Sequence, residues 1–432
     1  MPRCESRFAC VLRGRAYDGR AAGIGDDIDR AITLVLLRPD GSVVGALPPF
    51  VVTLPHLPEI APIIERCRAL HGIDVTILRI LHAAPADPRG NMGGPVTFTA
   101  EVERDPAATV AWTTPLPDDP LRARWARPGG PALDLGWADE QLAAAGRPRR
   151  GPAVQRKTWN LSSIWRIPTA RGDVWLKAVP PFFAHEGAVM NALAAPTLPP
   201  LIAFDAIGRT LMEDVTGVDQ YVAPSERHGP MIDALVALQA GAVGRADELV
   251  ALGAPDWRAG PFAIVAADVV ARGSARLDAS ERRTLDALVA GLDQRFRALA
   301  ECGIPDTFVH GDFHTGNVRW TDEGPVIFDW GDLGVGNPLF DMPAFDRNLD
   351  DDARPAARAR WILRWGEALP GCDPARAVSL IVPIAALRLA IIYQRFLDGI
   401  EQTERFYHED DVPQQLRDAA RLAAAEERYI PR

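Results

Sequence analysis

The sequence predicts an α+β protein in three parts: a small α/β unit at the N-terminus, a strand-rich stretch over 156–215 and a helical remainder over 216–432. Three observations carry this reading. Before residue 105, apolar runs bounded by turn residues surround one helical pattern; Pro, Gly and Arg then crowd 106–155; and period-two patterning from 156 gives way to helical periodicity after about 215. A chain of 432 residues has room for two or three domains with ordinary cores. Its 47% hydrophobic and 24% charged content excludes fibrous and globally disordered classes.

Within 1–105, Ile32–Leu37 reads as a strand, Arg38-Pro39-Asp40-Gly41 as a turn, and Ser42–Val52 as strand again. Leu57–Leu70 has helical spacing at Ile60, Ile63, Ile64 and Cys67, with Gly72 as its stop. Val75–Leu81 and Val96–Val102 are two further strands around the loop Pro85–Gly94. The stretch 106–155 reads as a loosely packed connector with one helical patch at Trp137–Ala145. Ser379–Tyr393 is apolar but broken by Pro383 and Arg388; it reads as a core helix too short to span a bilayer.

Lys and Arg total 47 against 57 Asp and Glu, a net charge of −10. That balance argues against a nucleic-acid partner, which needs a basic face. It suits a cationic small molecule, and the runs Asp350-Asp351-Asp352 and Glu409-Asp410-Asp411 are where one could be met. The cysteines Cys4, Cys10, Cys67, Cys302 and Cys372 form no CxxC pair and read as reduced thiols of a cytoplasmic protein. Charges interrupt the first twenty residues, so no signal segment is expected. Of the 47 basic residues only two are lysine, Lys157 and Lys177. In a composition that favours arginine, a lysine marks a place where a compact ammonium is required.

The chemistry centres on His310-Gly311-Asp312-Phe313-His314-Thr315-Gly316-Asn317. This is H-x-D-x-x-x-x-N, the kinase catalytic-loop spacing, in which the Asp meets the attacking hydroxyl and the Asn a magnesium ion. Twelve residues after Asn317, the apolar run Pro325–Phe328 delivers Asp329. A turn at Thr321-Asp322-Glu323-Gly324 would fold the two segments into a hairpin and bring Asn317 and Asp329 to one end, as a shared metal needs. Upstream, Lys177 sits in the alternating strand Asp173–Val179. Nine residues on, Glu186 shares a helical stripe with Val189, Met190 and Leu193, so its carboxylate faces the core and needs a cation. No G-x-G-x-x-G precedes Lys177; Ser162 and Ser163 could instead turn hydroxyls and backbone N–H groups toward phosphates. Glu213 and Val215 lie where backbone groups could meet an adenine.

Lys177, Glu186, the His310–Asn317 loop, Phe328-Asp329-Trp330-Gly331-Asp332 and Gly336-Asn337-Pro338-Leu339-Phe340-Asp341 resemble the aminoglycoside phosphotransferase and choline kinase-like superfamily over about 156–432. The resemblance implies a two-lobed protein-kinase-like fold with a strand-rich N-lobe and a helical C-lobe. It further implies ATP or GTP in the cleft, Mg²⁺ on Asn317 and Asp329, Asp312 as the catalytic residue and Lys177 on the phosphates. Asp341 would brace the loop. Trp330 departs from the Phe that follows the metal Asp in protein kinases, and only nine residues separate Asp332 from Asp341. That leaves little room to dock a protein substrate and points to a small-molecule hydroxyl acceptor: an aminoglycoside, amino sugar, sugar or amino alcohol.

The N-terminal unit is faintly similar to a nudix domain. Glu65-Arg66-Cys67-Arg68-Ala69-Leu70-His71-Gly72-Ile73 lacks the metal-binding glutamates of R-E-U-x-E-E-x-G-U, so a non-catalytic cap is expected there. Alternative readings of the whole chain are a nucleotide-binding pseudokinase or sensor, and a protein kinase. The oligomeric state and the acceptor stay open at this point.

Overall fold

The computed structural model describes residues 29–54, 56–84 and 94–427. Cys4, Cys10, the N-terminal stretch judged free of a signal segment and residues 85–93 of the expected loop lie outside these residues. Cys67, Cys302 and Cys372 are free thiols.

In the N-terminal unit, Asp29–Leu37 (β1), Val43–Ala46 (β2), Phe50–Thr53 (β3), Ala61–His71 (α1), Thr76–Ala83 (β4) and Val96–Glu101 (β5) follow one another. The strand expected over Ser42–Val52 is two, parted at Pro48-Pro49, where proline removes ladder donors. The sheet order is β2-β1-β5-β4 with β3 on β1, and β1 runs parallel to β5. Ile32, Leu34 and Leu36 of β1 are fully buried beneath Ile63 and Cys67 of α1. Gly72 closes α1 in the left-handed region at φ 66°, as its position implied.

The segment expected to be a loose connector is instead packed. Gly130–Ala144 forms a helix (α2), seven residues longer at its start than the patch at Trp137. Its Ala138 and Leu142 seal against Trp165, Ile167, Val174, Leu176 and Leu211. Those residues line the outer face of the second sheet, which is antiparallel throughout: Val154–Thr158 (β6), Ser163–Thr169 (β7), Gly172–Ala178 (β8), Leu201–Phe204 (β9) and Arg209–Glu213 (β10), in the order β6-β7-β8-β10-β9. Between β8 and β9 lies Glu186–Leu193 (α3). Because α2 occupies the outer face, Ile164, Lys177 and Thr210, which oppose one another across the strands, point to the other face.

The chain then passes through Val218–Asp219 (β11) into helices: Ser225–Gly241 (α4), and α5 to α8 at Ala246–Ala251, Ala259–Gly273, Ala279–Ala290 and Leu292–Glu301. Short strands carry the loops between lobes: Thr307–Val309 (β12), Val318–Thr321 (β13), Gly324–Ile327 (β14) and Gly334–Gly336 (β15). Helices Met342–Asp346 (α9), Arg354–Ala368 (α10), Pro374–Gly399 (α11) and Asp411–Glu427 (α12) complete the lobe. The strand-rich and helical lobes anticipated from the motifs are therefore present. The apolar stretch around Ser379–Tyr393 is longer than expected: α11 has 26 residues, enough by length and composition to cross a membrane, but 67% of its apolar window is buried in the protein and it serves as the core helix of this lobe.

The N-terminal unit is fastened to both lobes. Gln155 of β6 donates to the Ile77 carbonyl at 2.8 Å and accepts the Ile77 N–H at 2.9 Å. Buried Arg79 pairs with Glu401 at 3.1 Å, and Glu404 accepts the Ile80 N–H at 3.2 Å.

Candidate active site

Lys177, on the cleft face of β8, is 8% exposed and donates to Glu186 Oε1 at 2.6 Å and to Asp329 Oδ1 at 2.7 Å. Burial opposes its charge, but the Asp329 and Glu186 carboxylates overcome that cost and raise the ammonium above its ordinary value. The same Glu186 oxygen accepts the Trp330 N–H at 3.0 Å. Asp329 makes this possible by adopting φ 64°, ψ 65°. A left-handed conformation at a non-glycine residue costs roughly 1–2 kcal/mol, and here it turns the carboxylate to Lys177 and the next N–H to Glu186. Burial pushes Asp329 upward, yet the Lys177 ammonium prevails and, with a smaller contribution from Lys157, holds the carboxyl below the usual range.

The catalytic-loop residues are held just as closely. β13 and β14 pair from Val318↔Ile327 to Thr321↔Gly324, and the Phe328 N–H donates to the Asn317 carbonyl at 2.8 Å. Asn317 and Asp329 therefore stand at one end of a hairpin whose turn is where the sequence put it. Asn317 Nδ2 donates to the Asp312 carbonyl at 2.8 Å and to its Oδ2 at 3.2 Å. His314 Nε2 lies 3.5 Å from Oδ2 and Arg347 3.7 Å from Oδ1. Although burial works against ionisation, the His314 ring N–H and the Arg347 guanidinium that face it hold the Asp312 carboxyl below the usual range. His314 Nδ1 accepts the Gly316 N–H at 3.0 Å, which leaves Nε2 to face the carboxylate.

Asp341 braces the loop from beneath. It accepts the His310 N–H at 2.8 Å, the Gly311 N–H at 2.7 Å and the Gln239 amide at 2.9 Å. Gly311, at φ 94°, lies so close to Asp332 that a Cβ there would come 2.2 Å from its carbonyl oxygen. Arg388 Nη2 donates to the Gly311 carbonyl at 2.7 Å. Sequence reasoning did not assign roles to Arg388, Gln239 or Arg347; a lone arginine in the apolar stretch was the one available signal, and Arg388 is 1% exposed.

One expectation needs correction. Ser162 and Ser163 do not present their hydroxyls to a phosphate: Ser162 Oγ accepts the Trp159 indole N–H at 3.0 Å and Ser163 Oγ that of Trp165 at 3.1 Å. Buried indoles need acceptors, and the adjacent serines supply them. The Glu213 side chain pairs with Arg147 and its N–H donates to the Pro200 carbonyl. Val215 gives its carbonyl to Arg319 at 2.8 Å; its N–H donates to no protein group among the described residues. The acidic runs are engaged locally too: Asp350 accepts the Ala353 N–H, Asp351 pairs with Arg354, Asp410 with Arg276 and Asp411 with His408.

The site thus offers an ammonium between two carboxylates, an ionised Asp312 fixed by an amide, and two oxygens, Asn317 Oδ1 and Asp329 Oδ2, that accept no hydrogen bond among the described residues. Hard oxygen donors of this kind suit Mg²⁺, which takes one or two protein oxygens and completes its shell with phosphates and water.

The family that the sequence matches agrees in kind. The profile of the phosphotransferase enzyme family matches residues 142–378. No curated protein matches the chain. Among solved structures, a macrolide 2'-phosphotransferase from Brachybacterium faecium is 17% identical, covering 65% of this chain and 98% of that one at a TM-score of 0.46. An ethanolamine kinase from Plasmodium vivax is 8% identical over 64% and 84% of the two chains, with TM-score 0.48. A choline kinase from Cryptosporidium parvum is 9% identical over 69% and 96%, also with TM-score 0.48.

Proposed function

Because this chain belongs to the phosphotransferase enzyme family, we propose that it transfers the terminal phosphoryl group of ATP or GTP to a hydroxyl of a small molecule in a Mg²⁺-dependent reaction. The observation that carries the reading is the chain of contacts Glu186–Lys177–Asp329, which meets the Asp312–Asn317 loop through the β13–β14 hairpin. Phosphoryl transfer asks a protein mainly to position its reactants and neutralise charge.

In this reading Lys177 grips the phosphate chain, and the Val215 N–H supplies a donor for the base. Asp312 accepts the hydroxyl proton as the acceptor oxygen bonds to phosphorus and the bond to the departing diphosphate oxygen breaks. Asn317 and Asp329 are the residues that would hold Mg²⁺, which would offset negative charge on the phosphate oxygens. Asp332 leads directly into β15 and the chain returns to Asp341 nine residues later, a segment too short to seat a polypeptide substrate. This favours a compact acceptor.

The test is nucleoside diphosphate release from Mg-ATP and Mg-GTP across aminoglycosides, macrolides, amino sugars, neutral sugars and amino alcohols, with mass spectrometry of the product. A gain of one phosphoryl group by an acceptor, lost in Asp312→Asn, is expected. Nucleotide binding with no transfer to any acceptor class would favour a sensor instead.

A further inference from the structure

The only two lysines of the chain stand in one row of a sheet. Lys157 on β6 opposes Ile164 on β7, and Ile164 opposes Lys177 on β8. Directly opposed residues send their side chains to the same face, so both lysines are on the cleft face, two strand spacings or about 9–10 Å apart along the row. A bulge places Lys157 there. The register shifts between Gln155 and Lys157, and without the extra residue Arg156 would oppose Ile164. In a sequence whose other basic residues are all arginine, the bulge exchanges a guanidinium for an ammonium at this one position.

Lys157 is 4% exposed, and its Nζ lies 5.0 Å from the Trp159 ring centroid. Its charge reaches Asp329, where it adds to that of Lys177. The turn that follows is pinned from three directions. The Thr158 N–H donates to the Pro58 carbonyl at 3.1 Å, the Trp125 indole N–H to the Trp159 carbonyl at 3.1 Å, and Asn160 Nδ2 to the Glu404 carbonyl at 3.3 Å. Such a turn is not built to fold down over phosphates as a glycine-rich loop does.

We propose that Lys157 is a second phosphate-binding cation of the cleft, meeting the polyphosphate chain of the nucleotide beside Lys177 and replacing the missing glycine-rich loop with a fixed charge. The inference rests on the phosphotransferase reading. Protein neighbours do not disqualify an ammonium from this role, since Lys177 itself sits between two carboxylates.

Calorimetric titration of Mg-ATP, ADP and adenosine into wild type, Lys157→Met and Lys157→Arg tests it. Lys157→Met should weaken ATP and ADP by about ten-fold or more, the scale of one charge-assisted contact, and adenosine by less than about two-fold. Lys157→Arg should recover part of the loss. A folded Lys157→Met that binds ATP as wild type does, or that loses ATP and adenosine equally, overturns the proposal. Lysine-selective isotope labelling gives a readout that needs no substitution, because only two side-chain ammonium signals exist: both should shift with ADP, and a Lys157 signal unmoved while that of Lys177 moves overturns the proposal. Wild type that binds no nucleotide would bring down the phosphotransferase reading together with this inference.

Discussion

The Lys177 ammonium donates to Asp329 Oδ1 across 2.7 Å, joining residues 152 positions apart in the chain. Glu186 holds the same ammonium from the other side at 2.6 Å, so the lysine is fixed by two carboxylates rather than one.

That three-way contact predicts how substitutions at Lys177 fail. Lys177→Met leaves Glu186 buried without its cation, which should cost about 3–5 kcal/mol of stability and abolish turnover. Lys177→Arg keeps the charge, but the planar fork is too large for the space between the two oxygens. It should fold close to normally in chemical denaturation and lose most of its kcat. Full activity in Lys177→Arg would show that the compact ammonium is not required.

Asp312→Asn keeps the shape of the loop and the Asn317 contact to the Asp312 backbone carbonyl. Loss of the proton acceptor should lower kcat by about 10²–10⁴-fold, while calorimetry gives a Mg-nucleotide affinity within a few-fold of wild type. Wild-type turnover in this variant would remove Asp312 from the reaction.

Gly311→Ala tests the loop's support. The left-handed φ of 94° and the 2.2 Å approach to the Asp332 carbonyl leave no room for a methyl group. Thermal denaturation should show a clear loss of stability, and activity should fall by more than the stability change alone explains. An alanine variant with unchanged melting and turnover would contradict the geometry.

Glu404 should make stability fall with rising pH. Burial, reinforced by the Glu401 charge, pushes its carboxyl from an ordinary 4.5 up to about 8. The unfolded chain releases this proton near the lower value and the folded protein near the higher one. Folding therefore takes up a proton in between, and the associated stability is fully present below about 4.5 and lost as pH rises through about 8. In Glu404→Gln the amide oxygen can still accept the Ile80 N–H, and this slope should vanish. Urea midpoints for both proteins at about pH 5, 6.5 and 8 would decide the matter; parallel curves would refute it.

The strong motifs were legible because each binds chemistry to spacing. The hairpin turn at Thr321–Gly324 and the Lys177–Glu186 pairing across nine residues follow from local sequence plus one rule about buried charge, and the Asp341 brace from the resemblance of its motif. What escaped was set by tertiary contact. Ser162 and Ser163 were read as phosphate ligands because nothing in the sequence tells that Trp159 and Trp165 fold back onto them. The connector was misjudged because prolines and glycines before Trp137 hid a helix whose first turn starts at Gly130-Pro131. Gln239 meets Asp341 from 102 residues away, and no periodicity reports such a pairing.

The fastening of Gln155 to Ile77 bears on how this protein can be dissected. β6 is the terminal strand of its sheet, and the N-terminal unit covers the flank that would otherwise be open. A fragment trimmed to begin at residue 142 would carry the recognisable catalytic sequence, yet expose a bare strand edge with unpaired amide groups to every other copy in solution. Such a fragment should precipitate or form intermolecular sheet where the intact chain stays dispersed.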